Sequence, residues 1–307
     1  MKVAATKASK KRNGLMPIIK KNIVGWLMIL PAILCLYFFI LRPMVMGAYL
    51  SFFDMKGYTP QEFIGFENYR NAVSNSSFLQ TLLNTCKYVW WSLIIGFFLP
   101  IILSLMLNEM VHARATLRFL IYLPAVLPAS AAALLWYFIY HPSSGGLLNM
   151  VLTNLGLDPY VWLQDSGKTI LYIIISMTWA GAGSNVLYYY ATLQGVNREL
   201  YEAAVIDGCG FFRRLKIVAF PHISGIVLLF FVRQIIGVFS VMEQPMMMTD
   251  GGPNGASMTL GLQIYKYAFV YYKPQIAMAL SCILFLILVV FTSFYYILDR
   301  KVENMNG

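Results

Sequence analysis

Charge is scarce in this chain. Asp, Glu, Lys and Arg together make up 12% of its 307 residues while 59% are hydrophobic, and an ordinary soluble domain carries about 25% charge. A water-soluble globule is therefore excluded. The four cysteines, Cys35, Cys86, Cys209 and Cys282, are scattered, which leaves neither a disulfide framework nor a metal site. His112, His141 and His222 have no ligand-like spacing either. Gly167-Lys168-Thr169 ends like a P-loop, but Trp162 stands where that motif needs its first glycine. The chain is accordingly expected to be no enzyme, to hold no cofactor and to hydrolyse no nucleotide by itself. Carboxylates are missing from the interiors of the apolar runs, Glu243 at the edge of one being nearest, so the alternative of an ion-coupled secondary transporter lacks its coupling site.

What is abundant is apolar sequence in lengths that match a hydrocarbon core about 30 Å thick. Six runs stand out: about Ile23 to Leu41, Tyr88 to Leu107, Phe119 to Tyr140, Ile170 to Tyr190, Ile223 to Phe239 and Ile276 to Leu298. None alternates as an outer-membrane barrel strand does. The fold class is therefore an all-α integral membrane protein with six transmembrane helices. Placing the N-terminus inside puts 15 of the 23 Lys and Arg residues on the cytoplasmic side and 7 outside, with Arg233 within a run. This satisfies the positive-inside rule with both termini cytoplasmic, so the net charge of +10 is a topology signal that needs no nucleic-acid partner. Residues 1–16 read as a disordered basic tail that meets anionic membrane lipid, and residues 17–307 as the six-helix domain. The polar lead is too long for a secretory signal, so the first run is expected to be retained.

The most polar stretch after the tail lies between the fourth and fifth runs. It reads Tyr201-Glu202-Ala203-Ala204-Val205-Ile206-Asp207-Gly208-Cys209-Gly210 and continues through Arg213-Arg214-Leu215-Lys216 to Pro221. Asn197 suits an N-cap, Glu199 and Glu202 suit the positive end of a helix, and Ala203-Ala204 are strong helix formers. Gly208 can take the left-handed conformation that ends the helix. A second short helix from Phe211 to about Val218 should follow, broken at Pro221. The product is a knob whose alanines permit close approach and whose Glu202 and Asp207 can anchor a basic partner; an ordinary loop with an incidental cap has the same local chemistry.

This stretch, about 197–221, resembles the EAA loop of permease subunits of binding-protein-dependent ABC importers. The pattern of Glu-Ala-Ala, three residues, Gly, nine residues, Ile, one residue, Leu-Pro is matched by Glu202-Ala203-Ala204, Gly208, Val218 and Phe220-Pro221, with Val for Ile and Phe for Leu. In that family the loop forms the coupling helix seated in a cleft of the ATPase. The resemblance thus implies a docking role for Glu202, Ala203, Ala204, Asp207, Gly208 and Pro221. A second signature, Thr249-Asp250-Gly251-Gly252-Pro253 followed by Thr259, Ile264-Tyr265 and Ala268-Phe269, is similar to the sugar permeases' Thr-x-Gly-Gly-Pro turn before the last span. On its own chemistry, Thr249, Gly251, Gly252 and Pro253 build an outer turn that a gate or a binding-protein seat can use. Weaker likenesses run through Ile64 to Tyr69, Phe78, Asn84-Thr85, and Arg118, Pro124, Pro128, Trp136, Gly146 and Asn149.

The resemblance covers nearly everything after about Ile18 and implies a MetI-like ABC permease fold of the carbohydrate-uptake branch, as in maltose, raffinose and glycerol-phosphate systems. It also implies a second permease subunit, usually a different chain, two ATPase subunits that hold ATP and Mg, an extracytoplasmic solute-binding protein, and a bacterial plasma membrane. The transport expected is uptake of a sugar, an oligosaccharide or related carbohydrate, by alternating access. Asn185, Arg233 and Gln234 are the polar residues to place on its pathway, since a charged side chain inside a span must face water or a partner; an ion pair of Arg233 with Glu243 or another subunit is the competing account. Gly181 and Gly183 should let another backbone approach, Tyr188, Tyr189 and Tyr190 suit an interfacial belt, Pro124 and Pro128 should face other helices, and short interfacial helices are expected between Arg42 and Lys87.

Overall fold

A backbone in hydrocarbon has to satisfy its own N–H and C=O groups, and long apolar runs do so as helices. The computed structural model describes residues 23–110 and 112–306; the tail expected over residues 1–16 lies outside them. The chain divides into two compact units, one ending at Leu50 and the other beginning at Ser51. In the first, the described residues form helix α1 (Ile23–Leu50), whose first part, Ile23–Leu36, is apolar throughout and carries Pro31 inside it, with Arg42 following.

The second unit opens with a hairpin, β1 (Phe53–Lys56) and β2 (Thr59–Phe63), paired antiparallel with Lys56 opposite Thr59. The hairpin corrects the all-α expectation and replaces part of the interfacial helix expected there. Gly57, at φ +63°, supplies the tight turn, and the Asn68 amide donates to the carbonyls of Ser51 and Phe53 at 2.9 and 2.8 Å. A short helix, α2 (Glu67–Ser74), does follow.

The helices that frame the site come next: α3 (Ser76–Glu109), α4 (Arg114–Val126), α5 (Ala129–Ile139), α6 (Leu147–Asn154), α7 (Thr169–Leu193), α8 (Arg198–Ile206), α9 (Leu215–Phe239), α10 (Glu243–Thr249), α11 (Leu260–Tyr265) and α12 (Pro274–Asn306). Among the described residues five helices are long and apolar enough to cross a membrane, and six spans result if the α4–α5 pair counts as one. That pair is the main departure from the third apolar run, because it bends by 98°. Leu127 and Pro128 are both extended, at ψ 139° and 140°, since a residue before proline avoids the helical region. Pro128 is exposed rather than turned towards another helix, and Pro124 is half-buried.

Proline is handled differently elsewhere. Within α9 the turn Leu215–Ala219 is wide, the Phe220 N–H reaching the Leu215 carbonyl five residues back. Pro221 cannot donate to Ile217, and its ring would strike that carbonyl in a regular helix; a single wide turn relieves both problems. The break expected at Pro221 is therefore absent, and the turn Phe211–Arg214 runs straight into α9. Similar wide turns precede Pro43 in α1, Pro100 in α3 and Pro274 before α12.

Helix α7 is central. Ile170, Ile173 and Ile174 pack with Tyr88, Ala133 and Val238, while Tyr189 and Leu193 pack with Phe97, Ile223 and Phe230. Gly183 does allow a backbone to approach: a Cβ there would lie 2.8 Å from the Tyr122 Cα. Gly181 does not, having open space beside it. Of the three tyrosines only Tyr188 is exposed, Tyr189 and Tyr190 being buried in the bundle instead of forming a belt. The end of the bundle where α3 and α7 finish is called the base below, and the end carrying 141–168 and 240–273 the crown.

Candidate functional site

At the base, α8 forms as the sequence dictates. The Asn197 side chain accepts from the Glu199 N–H at 3.1 Å, and Gly208 adopts φ +71°. The Gly208 and Cys209 N–H groups then return to Val205 and Ala204 at 3.0 and 2.9 Å, the pair of bonds that closes a Schellman turn. The two alanines differ in role. Ala204 is buried and fixes the helix, while Ala203 is exposed. It lines an open groove of about 520 Å³ with Leu200, Asp207, Ile217, Pro221 and His222. Glu202 and Asp207 are exposed, as are the apolar side chains of Leu200, Val205, Ile206 and Ile217.

Among the described residues, two polar contacts tie this knob to the end of α3, and a third links α3 to the residue after α7. Arg214 pairs with Glu109 at 2.9 Å, both about one-fifth exposed. The Asn108 amide donates to the Tyr201 hydroxyl at 3.3 Å and accepts from Gln194 at 2.9 Å. Burial, and then the Glu109 carboxylate, push the Tyr201 phenol above its ordinary value. Glu109 had not been singled out in the sequence; its one signal is that it is an acid closing an apolar run.

Midway along the bundle, Asn185, Arg233 and Gln234 line one cavity of about 370 Å³, shared with Ser92, Gly96, Thr178, Ser184 and Phe230. The space exists because α3 widens over Ser92–Phe97 and because Gly96 carries no side chain: a Cβ there would sit 3.1 Å from both the Gln234 amide nitrogen and the Thr178 hydroxyl. Arg233 lies six residues before the end of α9, roughly 9 Å from the crown at the helical rise. Its guanidinium carbon stands 5.6 Å from the centroid of the Phe230 ring, within cation–π range. Among the described residues no ion pair involves Arg233, so the pairing with Glu243 is not formed.

The Thr249-Asp250-Gly251-Gly252-Pro253 turn sits at the crown and is stitched down. Thr249 and Ser257 share a hydroxyl contact at 2.7 Å, and Ser257 donates to the Gly252 carbonyl at 2.7 Å. Asp250 pairs with Lys266 at 2.9 Å. Gly251 sits at φ +85°, a conformation that strains any L side chain, and a Cβ there would press on the flexible end of Met258. From α3, Asn84 donates to the Gly255 carbonyl at 2.8 Å, Tyr88 donates to the Ser257 carbonyl at 3.2 Å, and Thr85 accepts from the Leu260 N–H at 3.1 Å. Also in the crown, Asn149 is fully buried: its amide donates to the Pro142 and Tyr160 carbonyls at 3.0 Å each, and its oxygen accepts from the Trp162 indole at 2.8 Å. Among the described residues no cluster of His, Cys, Asp and Glu is placed to hold a metal.

Residues 93–304 match the family described as binding-protein-dependent transport system inner membrane component. A probable ABC transporter permease protein of Bacillus subtilis, YurN, is 30% identical over 273 residues, covering 87% of this chain and 93% of YurN. The trehalose/maltose transport system permease protein MalF of Thermococcus litoralis is 29% identical over 281 residues, covering 90% and 94%. Among solved structures, a chain of a bacterial alginate ABC transporter, crystallised in complex with an alginate pentasaccharide-bound periplasmic protein, superposes with a TM-score of 0.83 at 25% identity, over 94% of this chain and 98% of that one.

Proposed function

The chain belongs to the inner membrane components of binding-protein-dependent transport systems, and from that membership we propose that the knob around α8 is the seat of a separate ATPase that drives carbohydrate uptake through the cavity beside Arg233. The chain is a multi-pass ABC permease of the sugar-uptake kind. The proposal adds six spans with the α4–α5 pair as the third, both termini and the base in the cytoplasm of a bacterial cell, and the crown outside.

One observation carries the docking reading. The base presents a groove lined by Ala203, the exposed acid Asp207 and the exposed apolar side chains of Leu200 and Ile217, with Glu202 exposed on a neighbouring hollow beside Asn108 and Glu109, while Arg214–Glu109 and Tyr201–Asn108 tie the same knob to α3. A partner that fills the groove therefore grips a handle already fastened to the bundle. ATP and Mg bind in that partner, whose closure moves the knob; because packed helices have discrete arrangements, the shift opens the bundle towards the crown. Hydrolysis returns it. A second permease chain completes the channel, and an extracytoplasmic binding protein delivers solute to the crown. MalF serves trehalose and maltose, and the alginate transporter takes its solute from a periplasmic protein; an oligosaccharide is the corresponding cargo here. The cavity lining has no carboxylate, which favours ATP over an ion gradient as the source of energy.

The test is copurification from native membranes through a tag on this chain. An ATPase and a second permease chain should come down with it, and Glu202→Lys should release the ATPase while keeping the second permease. Unchanged ATPase retention and unchanged uptake in that variant would contradict the docking role.

A further inference from the structure

Among the described residues, Arg233 has no acidic partner. It lies in a helix with the composition of a membrane span, six residues from its crown end, and is exposed there, where a charged side chain faces water or a partner group. None of the residues that line the cavity with Arg233 is acidic, and among the described residues no carboxylate lies within ion-pairing distance of it. Phe230, buried to 6% exposure, offers its ring face to the guanidinium at 5.6 Å. That contact steadies the group without neutralising it. The remaining polar lining, Asn185, Gln234, Thr178 and Ser92, supplies uncharged hydrogen-bonding groups suited to hydroxyls.

We propose that this cavity binds an anionic carbohydrate, one bearing a carboxylate, phosphate or sulfonate, with Arg233 pairing the charge and Asn185, Gln234 and Thr178 meeting the hydroxyls. The physical reason is the asymmetry between occupants. A neutral sugar entering the cavity strips water from the guanidinium and returns only neutral hydrogen bonds, whereas an anion brings the missing charge and bonds that are shorter and about twice as strong. The volume, about 370 Å³, is of the size of a small-ligand site. The inference rests on the transport reading of the cavity and narrows its cargo.

The test uses the transporter copurified through this chain, in lipid nanodiscs, with glucuronate, glucose 6-phosphate and glucose as probes in saturation-transfer NMR titrations. Glucuronate, glucose 6-phosphate or both should bind roughly tenfold or more tighter than glucose, the range a charge-assisted bond gives. A preference for one of the two identifies carboxylate or phosphoryl as the group read. High salt should erase the preference, Arg233→Gln should abolish it, and Arg233→Lys should keep part of it. Equal binding of all three probes by the wild type, or an anion preference that survives Arg233→Gln, overturns the proposal. So does an Arg233→Gln variant that assembles normally but loses glucose and both anions alike, since Arg233 would then only hold the helices. If Arg233→Gln fails to assemble, salt sensitivity of the wild-type preference decides the question. ATPase content of the same preparation separates the two claims: an ATPase present without anion preference refutes this inference alone, and an ATPase absent refutes the docking reading alone.

Discussion

At the crown, polar side chains point inward. Asn84, Thr85, Asn149, Ser257 and Thr259 are buried, and each spends its hydrogen bonds on a neighbouring loop backbone. At the base Glu202 and Asp207 are exposed, and among the described residues two polar contacts, Arg214–Glu109 and Tyr201–Asn108, tie α8 and the turn after it to α3 while Tyr201 packs against the core. The difference separates a frame from a handle. A buried polar network fixes one geometry, whereas a helix capped at each end and tied to α3 by two polar contacts can move as a piece.

Adding one small group at each end should break or confirm that contrast most forcefully. In Gly146→Ala the new Cβ collides with the backbone carbonyl of His141, which has no room to yield; a loss of about 3 kcal/mol or more is expected, seen as a low yield of monodisperse protein and a lowered melting temperature in detergent. In Ala203→Leu the exposed base groove fills, melting should be unchanged, and ATPase retention should fall by roughly tenfold or more. A neutral Gly146→Ala, or an Ala203→Leu that unfolds, would reverse the assignment of frame and handle.

Glu109→Gln comes next. Removing one partner of a partly buried pair costs about 1–3 kcal/mol, between the values for exposed and fully buried bridges. Hydrogen exchange should rise over 198–206 while the crown stays protected; loosening at both ends would mean that the pair is part of the core instead.

Much of this was legible because the signals are local. Asn197, Gly208 and the alanines set α8 through caps and propensity, and the apolar runs set the long helices. Asn185, Arg233 and Gln234 could be grouped from sequence since a polar residue in a span has few places to go. What the sequence concealed depends on partners far along the chain. The hairpin at Gly57 needs Asn68 to hold its carbonyls, the bend at Pro128 looks like one continuous apolar run, and Pro221 ends no helix because a wide turn absorbs it. Glu109 is meaningless until Arg214, 105 residues later, comes beside it.

Smaller effects sharpen the crown. Thr85→Val leaves the Leu260 N–H without its acceptor, at a cost of about 1–3 kcal/mol for a buried unpaired donor, read as a modest fall in melting temperature. The smallest concerns Asp165, half-buried just before the start of α7. Its carboxyl is held below the usual carboxylate range by the Tyr160 hydroxyl, then by the Gly167 N–H. A depressed carboxyl stabilises the fold above its unfolded value and loses that contribution as pH falls through the folded one. The difference in melting temperature between wild type and Asp165→Asn should therefore be small at neutral pH and vanish in acid; a difference that grows in acid would contradict the sign.

The most direct measurement of the handle is uptake into inverted-control and right-side-out vesicles that contain the copurified transporter and its binding protein, with the proton gradient dissipated and ATP supplied or withheld on the base side. Uptake that persists without the gradient, stops without ATP and is lost in Glu202→Lys is the predicted result. Uptake by this chain with no ATPase attached at α8 would contradict it.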